Sequence, residues 1–123
     1  MAVFADTESV LQLLERVREI LRGGGKFYLI QRQKNRDSLL QLGLSVKSCR
    51  AEVMALSIED YCSGPEDDPK GNGKVWIFGR EINGTPVYIK LKISRFGAGS
   101  VTCISFHKAE FPLKYVYRDE EST

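Results

Sequence analysis

Between residues 10 and 21 the apolar positions are Val10, Leu13, Leu14, Val17, Ile20 and Leu21. Steps of three and four predict an amphipathic helix over about 8–22. Its other side carries Glu8, Gln12, Glu15, Arg16, Glu19 and Arg22. Thr7 or Asp6 suits the N-cap, and Gly23-Gly24-Gly25 stops the helix, because glycine takes left-handed backbone cheaply. Phe27-Tyr28-Leu29-Ile30 reads as a short strand or an extended connector. A second helix is predicted over about 37–42, ended by Gly43, and Ser45 caps a third over about 46–56. Val46, Cys49, Val53, Met54 and Leu56 face inward on that third helix. Ser57 then caps a short turn through Tyr61.

The period changes after CSGPEDDPKGNG (62–73), which reads as a loop on its prolines, glycines and acids. Residues 74–82 and 85–94 are rich in β-formers and flank Asn83-Gly84, the signature of a type I′ hairpin. A two-residue turn there sets Ile82 opposite Thr85, which fixes the register. Arg80 then faces Val87, Phe78 faces Ile89 and Trp76 faces Leu91, giving a largely apolar side for the helices. The other side pairs Gly79 with Tyr88, Ile77 with Lys90 and Val75 with Lys92. A third strand is predicted over 101–106, with Ile104 and Phe106 toward the core. Cys103, Ser105 and His107 then join Tyr88, Lys90 and Lys92 on the outer side. The expected fold is α+β, with N-terminal helices packed on one face of a small antiparallel sheet.

A chain of 123 residues fits one domain, with an acidic, flexible tail over about 118–123. No apolar run approaches the length of a membrane span, and MAVFADTESV lacks the pattern of a signal peptide. Cys49, Cys62 and Cys103 are an odd set with no close pair. They read as reduced thiols in a cytoplasm, and with a lone histidine they make no zinc pattern. Nothing here calls for a cofactor. Net charge is only +2, but it is segregated. Residues 26–50 carry +5 and residues 74–118 carry +6, against −4 in 57–73 and −3 in 119–123. Such a chain can turn a basic face to phosphates while staying near neutral overall.

The outer sheet side therefore gathers a phenol, ammonium groups, a hydroxyl and the only imidazole. This set suits cleavage of RNA by its own 2′-hydroxyl, which needs an acid, a base and positive charge but no metal. His107 is the candidate acid or base, since imidazole changes charge between about pH 5 and 8. Tyr88 suits base stacking or proton donation. Lys90, Lys92, Arg80, Lys74 and Ser105 suit phosphate binding, although the register turns Arg80 to the helix side. On this reading His107→Ala abolishes cleavage and hardly changes the melting temperature. Alternatives are a silent RNA-binding module, a protein-interaction module with an acidic partner, or simply a solvated sheet face. The glycines before Lys74 are no phosphate loop, because their order is wrong and acids precede them. Glu66-Asp67-Asp68 alone is a poor cation site.

SIEDYCSGPEDDP (57–69), KVWIFGREINGTPVYIKLKI (74–93) and VTCISFHKAEFPLKY (101–115) together resemble the MqsR (motility quorum-sensing regulator) family of bacterial toxins. The likeness runs over about residues 26–115. It implies a RelE-like fold and a metal-independent endoribonuclease that cleaves mRNA. It also implies a cognate antitoxin as partner. The family's functional tyrosine, in a Tyr-x-Lys strand, matches Tyr88. The basic residue that ends the family's last strand, after Ser-Phe, falls on His107. Two positions depart from the pattern: Ser63 stands where the family has a lysine, and Ile77 where it has a glutamine.

Overall fold

The computed structural model describes residues 3–118. Most of the expected acidic tail, residues 119–123, lies outside them. The first helix, α1 (Thr7–Arg22), is capped by Asp6, whose carboxylate accepts from the Ser9 amide at 2.8 Å. Its predicted stripe, Val10 to Leu21, is buried throughout. At ~1.5–3 kcal/mol per buried aliphatic side chain, that face holds the helix to the sheet far more firmly than its propensity does. A short strand, β1 (Lys26–Leu29), follows. Gly25 leads into it at a point where a Cβ would lie 2.4 Å from the Ile20 side chain and 2.8 Å from the Gly99 carbonyl. Only glycine lets the helix end, the strand start and the 95–99 turn converge there.

The second helix, α2 (Gln33–Leu42), begins four residues before the predicted start. Its early buried positions are Asn35 and Ser38, which an apolar period does not register. The third, α3 (Val46–Met54), is capped by Ser45 as expected. Val46 is exposed rather than inward, while Leu56, beyond the helix, is buried. A single 3-10 turn, Ile58–Asp60, closes with Asp60 accepting from the Ser57 amide at 2.9 Å.

The sheet comprises β2 (Tyr61–Asp67), β3 (Lys74–Ile82), β4 (Thr85–Ser94), β5 (Ser100–Lys108) and β1, in the order β1-β5-β4-β3-β2. It is mixed, not wholly antiparallel, because β1 pairs with β5 in parallel. The first half of the expected 62–73 loop is strand β2, which pairs with β3 across two register shifts. These irregularities hide it from a search for alternation. The β3–β4 register is the predicted one, and Asn83 and Gly84 both have positive φ, as a type I′ turn requires.

On β5 a bulge at Ile104 changes the faces. Leu91 opposes Cys103 while Lys90 opposes Ser105, so Ile104 is the extra residue. Cys103 is therefore on the core side, wholly buried, and Ile104 is half-buried outside the main cluster. Both residues are the reverse of the unbulged expectation. Ser105, Phe106 and His107 keep their expected sides.

The core fills the space between α1, α3 and one sheet face, with Phe78, Ile89, Leu91 and Phe106 beneath Leu14 and Val17. Helix α2 lies along β5 beyond the end of β1. There Asn35 donates to the carbonyls of Ile30 and Ile104 and accepts from the Phe106 amide, and Ser38 accepts from the Lys108 amide. Helix side chains thus satisfy a strand edge that would otherwise be open. After β5 the chain, residues 109–118, crosses the opposite sheet face from β4 to β2. Ala109 donates to the Pro86 carbonyl at 2.9 Å and Val116 to the Tyr61 carbonyl at 3.1 Å. Gly79 makes this crossing possible, since a Cβ there would sit 2.5 Å from Leu113. No helix among the described residues is long and apolar enough to cross a membrane.

Candidate functional site

The crossing segment and the sheet enclose a cleft of about 510 Å³. Ile77 from β3, Tyr88 and Lys90 from β4, and Ser105 and His107 from β5 form its floor. Arg32 and Lys34, at the start of α2, make one wall. Cys62, Ser63 and Phe4 make the other, and Glu110 to Lys114 run across it. Four cations line the cleft against the single carboxylate of Glu110.

His107 is buried, and its Nδ1 lies 2.9 Å from the Lys108 carbonyl oxygen. A carbonyl only accepts, so Nδ1 carries the proton in the neutral ring and Nε2 is left as an acceptor. The ring stacks on Tyr88, its partner across β4–β5, with centroids 5.4 Å apart and planes at 23°. Burial raises the Tyr88 phenol above its ordinary pKa, and the Glu66 carboxylate adds to this, while the Arg32 guanidinium opposes both. At neutral pH Tyr88 is a proton donor, not a phenolate.

Ser105 is buried opposite Lys90, and its hydroxyl accepts from Arg32 Nη2 at 2.7 Å. Lys34 and Glu110 form an ion pair of 2.8 Å across the cleft, and the Lys34 hydrogen bond holds the Glu110 carboxyl below the usual carboxylate range. Cys62 lies in the wall with its thiol pushed up to about 11, chiefly by burial, so it is no thiolate nucleophile at neutral pH. Phe111, 82% exposed, stands at the rim.

Of the residues singled out from sequence, His107, Tyr88, Lys90 and Ser105 come together here. Lys92, Lys74 and Arg80 do not. Lys92 bonds to Asp68 at 2.7 Å, and Lys74 pairs with Asp67, which also occupies two of the three acids considered for a cation. Arg80 turns to the helix side, binding Glu52 at 3.1 Å and the Ala55 carbonyl at 2.9 Å. It ties α3 to the sheet. Among the described residues no cluster of three His, Cys, Asp or Glu side chains is arranged to hold a metal ion. Ser63 and Ile77, the two departures from the family pattern, both line the cleft.

Sequence reading missed Arg32, Lys34, Glu110 and Phe111. Arg32 occupies the N-cap position of α2 and makes no capping bond there. Arginine is a poor choice for that position, where a Ser, Thr, Asp or Asn is worth ~1 kcal/mol. A local rule broken in this way was the available signal, but it is visible only once the helix start is known. No known family, curated protein or solved structure matches the chain.

Proposed function

We propose that this chain is an MqsR-like toxin of a type II toxin–antitoxin system, with a RelE-like fold, acting in the cytoplasm. On this reading it is a metal-independent endoribonuclease that cleaves mRNA and is held in check by a cognate antitoxin. The observation that carries it is the pairing of His107, with Nε2 available, and a protonated Tyr88 on the floor of a cation-lined cleft.

In the reaction, Nε2 of His107 takes the proton of an RNA 2′-hydroxyl as that oxygen bonds to phosphorus. The bond from phosphorus to the 5′-oxygen breaks, and Tyr88 gives the leaving oxygen a proton. The products are a 2′,3′-cyclic phosphate and a 5′-hydroxyl. Lys90 stabilises the negative charge that builds on the non-bridging oxygens. Phe111 at the rim suits stacking against an unpaired base.

The test is cleavage of a mixed-sequence RNA by purified protein in excess EDTA, with His107→Gln alongside. Discrete cuts by the wild type, slowed about 10²–10⁴-fold in the variant, are expected. Intact RNA from folded wild-type protein would sink the reading. A silent RNA-binding module is the second reading, favoured by Ser63 in the wall and Ile77 on the floor, which contribute no charge. It predicts salt-dependent binding with no new ends.

A further inference from the structure

We propose that Arg32 is the phosphate anchor of this cleft, its guanidinium set by the Ser105 hydroxyl and its ligand shared with Lys90. Several cations around the sheet and the cleft already have carboxylate partners. Lys34 is held by Glu110, Lys92 by Asp68, Lys74 by Asp67, Arg80 by Glu52, and Arg118 by Asp60 at 3.6 Å. Arg32 has no carboxylate partner among the described residues. Its one side-chain bond is to the neutral oxygen of Ser105, and its Nε is buried without a partner. A half-buried guanidinium without an anion is costly, and an oxyanion that approaches it relieves that cost.

Geometry says where such an anion sits. Ser105 is 1% exposed and opposes Lys90 in the β4–β5 register, so Arg32 reaches the floor at the level of Lys90. His107 follows two residues along the same strand side. Guanidinium, ammonium and imidazole thus line one side-by-side stretch of the cleft. The planar fork of arginine matches two phosphate oxygens, which a lysine does not. Because Ser105 holds one arm of the fork, that arm is oriented before the ligand arrives. Ser105 is a positioning residue in this scheme.

The inference rests on the ribonuclease reading only for the natural ligand, an RNA phosphate. Binding itself is measurable without cleavage. Inorganic phosphate is titrated into 15N-labelled protein at constant ionic strength, with chloride as the matched salt. Saturable shifts of the Arg32 Nε–Hε and His107 ring signals are expected. Arg32→Gln should weaken phosphate binding by about tenfold or more, and Lys74→Gln, outside the cleft, should leave it unchanged. Arg32→Lys should recover only part of the affinity, and Ser105→Ala should lower it while Arg32 remains. A short 2′-deoxy oligonucleotide, which cannot be cut, identifies a strand phosphate if it binds tighter than phosphate, and a free phosphate if it does not.

A flat titration at Arg32 in the wild type overturns the proposal, whatever the variants do. So does equal affinity in folded Arg32→Gln. Phosphate binding that needs Arg32, with RNA left intact by the wild type, removes the nuclease reading and keeps the anion site. Cleavage by the wild type with no phosphate response at Arg32 does the reverse.

Discussion

His107 is 6% exposed and stacked on Tyr88, so alanine there removes packing as well as an imidazole. A nearly unchanged melting temperature, the expectation from sequence, no longer follows for that variant. Glutamine fills more of the space and cannot titrate, which makes it the sharper probe. The pH profile is informative about Tyr88. Its phenol is raised by burial, so the protonated, donating form persists to higher pH than in a free tyrosine, past about pH 10. Cleavage should therefore show no loss from phenol ionisation up to about pH 9, and Tyr88→Phe should be slow at every pH below that. A wild-type alkaline limb under pH ~9 that disappears in Tyr88→Phe would refute the donor role. Cys62 offers a second check. With its thiol pushed up to about 11, only about one part in a thousand is thiolate at pH ~8. Iodoacetamide should label native protein slowly there, and quickly once urea unfolds it.

At the scale of elements, α2 is the instructive case. Its buried face opens with Asn35 and Ser38, whose work is to bond β5 rather than to fill a core. Asn35→Ala would strand the Phe106 amide and remove the donor to two carbonyls. A loss of about 2–4 kcal/mol in urea unfolding is expected, with faster amide exchange at Phe106. A loss under ~0.5 kcal/mol would show that the edge is satisfied otherwise. The same chemistry explains what could be read from sequence. Helix α1 and the β3–β4 hairpin were legible because apolar period and turn residues each point one way. The start of α2 was not, because its inward residues are polar, and β2 was not, because its register shifts break alternation. The bulge at Ile104 reverses the expected faces of Cys103 and Ile104 but leaves Ser105, Phe106 and His107 on theirs. Four of the five floor residues, Tyr88, Lys90, Ser105 and His107, are therefore legible in the sequence. Arg32 and the 109–118 segment are not, since their roles come from long-range packing.

Over the whole molecule, charge that is segregated in sequence is partly neutralised in space. The acids at 67 and 68 are spent on Lys74 and Lys92, while Arg32, Lys90 and Lys114 line the cleft with no carboxylate partner among the described residues. If RNA follows those three cations, log Kobs against log salt should slope by about −2, from roughly −0.7 per phosphate on a single strand. A slope near zero in a fluorescence titration would mean that binding, if any, does not use this charge.

The parallel pairing of Lys26 with Ser100 joins residues 74 positions apart. Ribosomes deliver the chain from its N-terminus, and contacts so distant in sequence close late. Helix α1 and β1 are made well before β5, the strand that receives β1. The β3–β4 hairpin, by contrast, has its partners beside it as soon as it emerges. Ser105 and His107 sit on that same final strand, and the segment that walls the cleft follows it. A nascent chain that stops at β4 thus has neither a finished sheet nor any part of the floor supplied by β5. Completion of the fold and completion of the cleft are one event, reached only once β5 and the segment that follows it have been made.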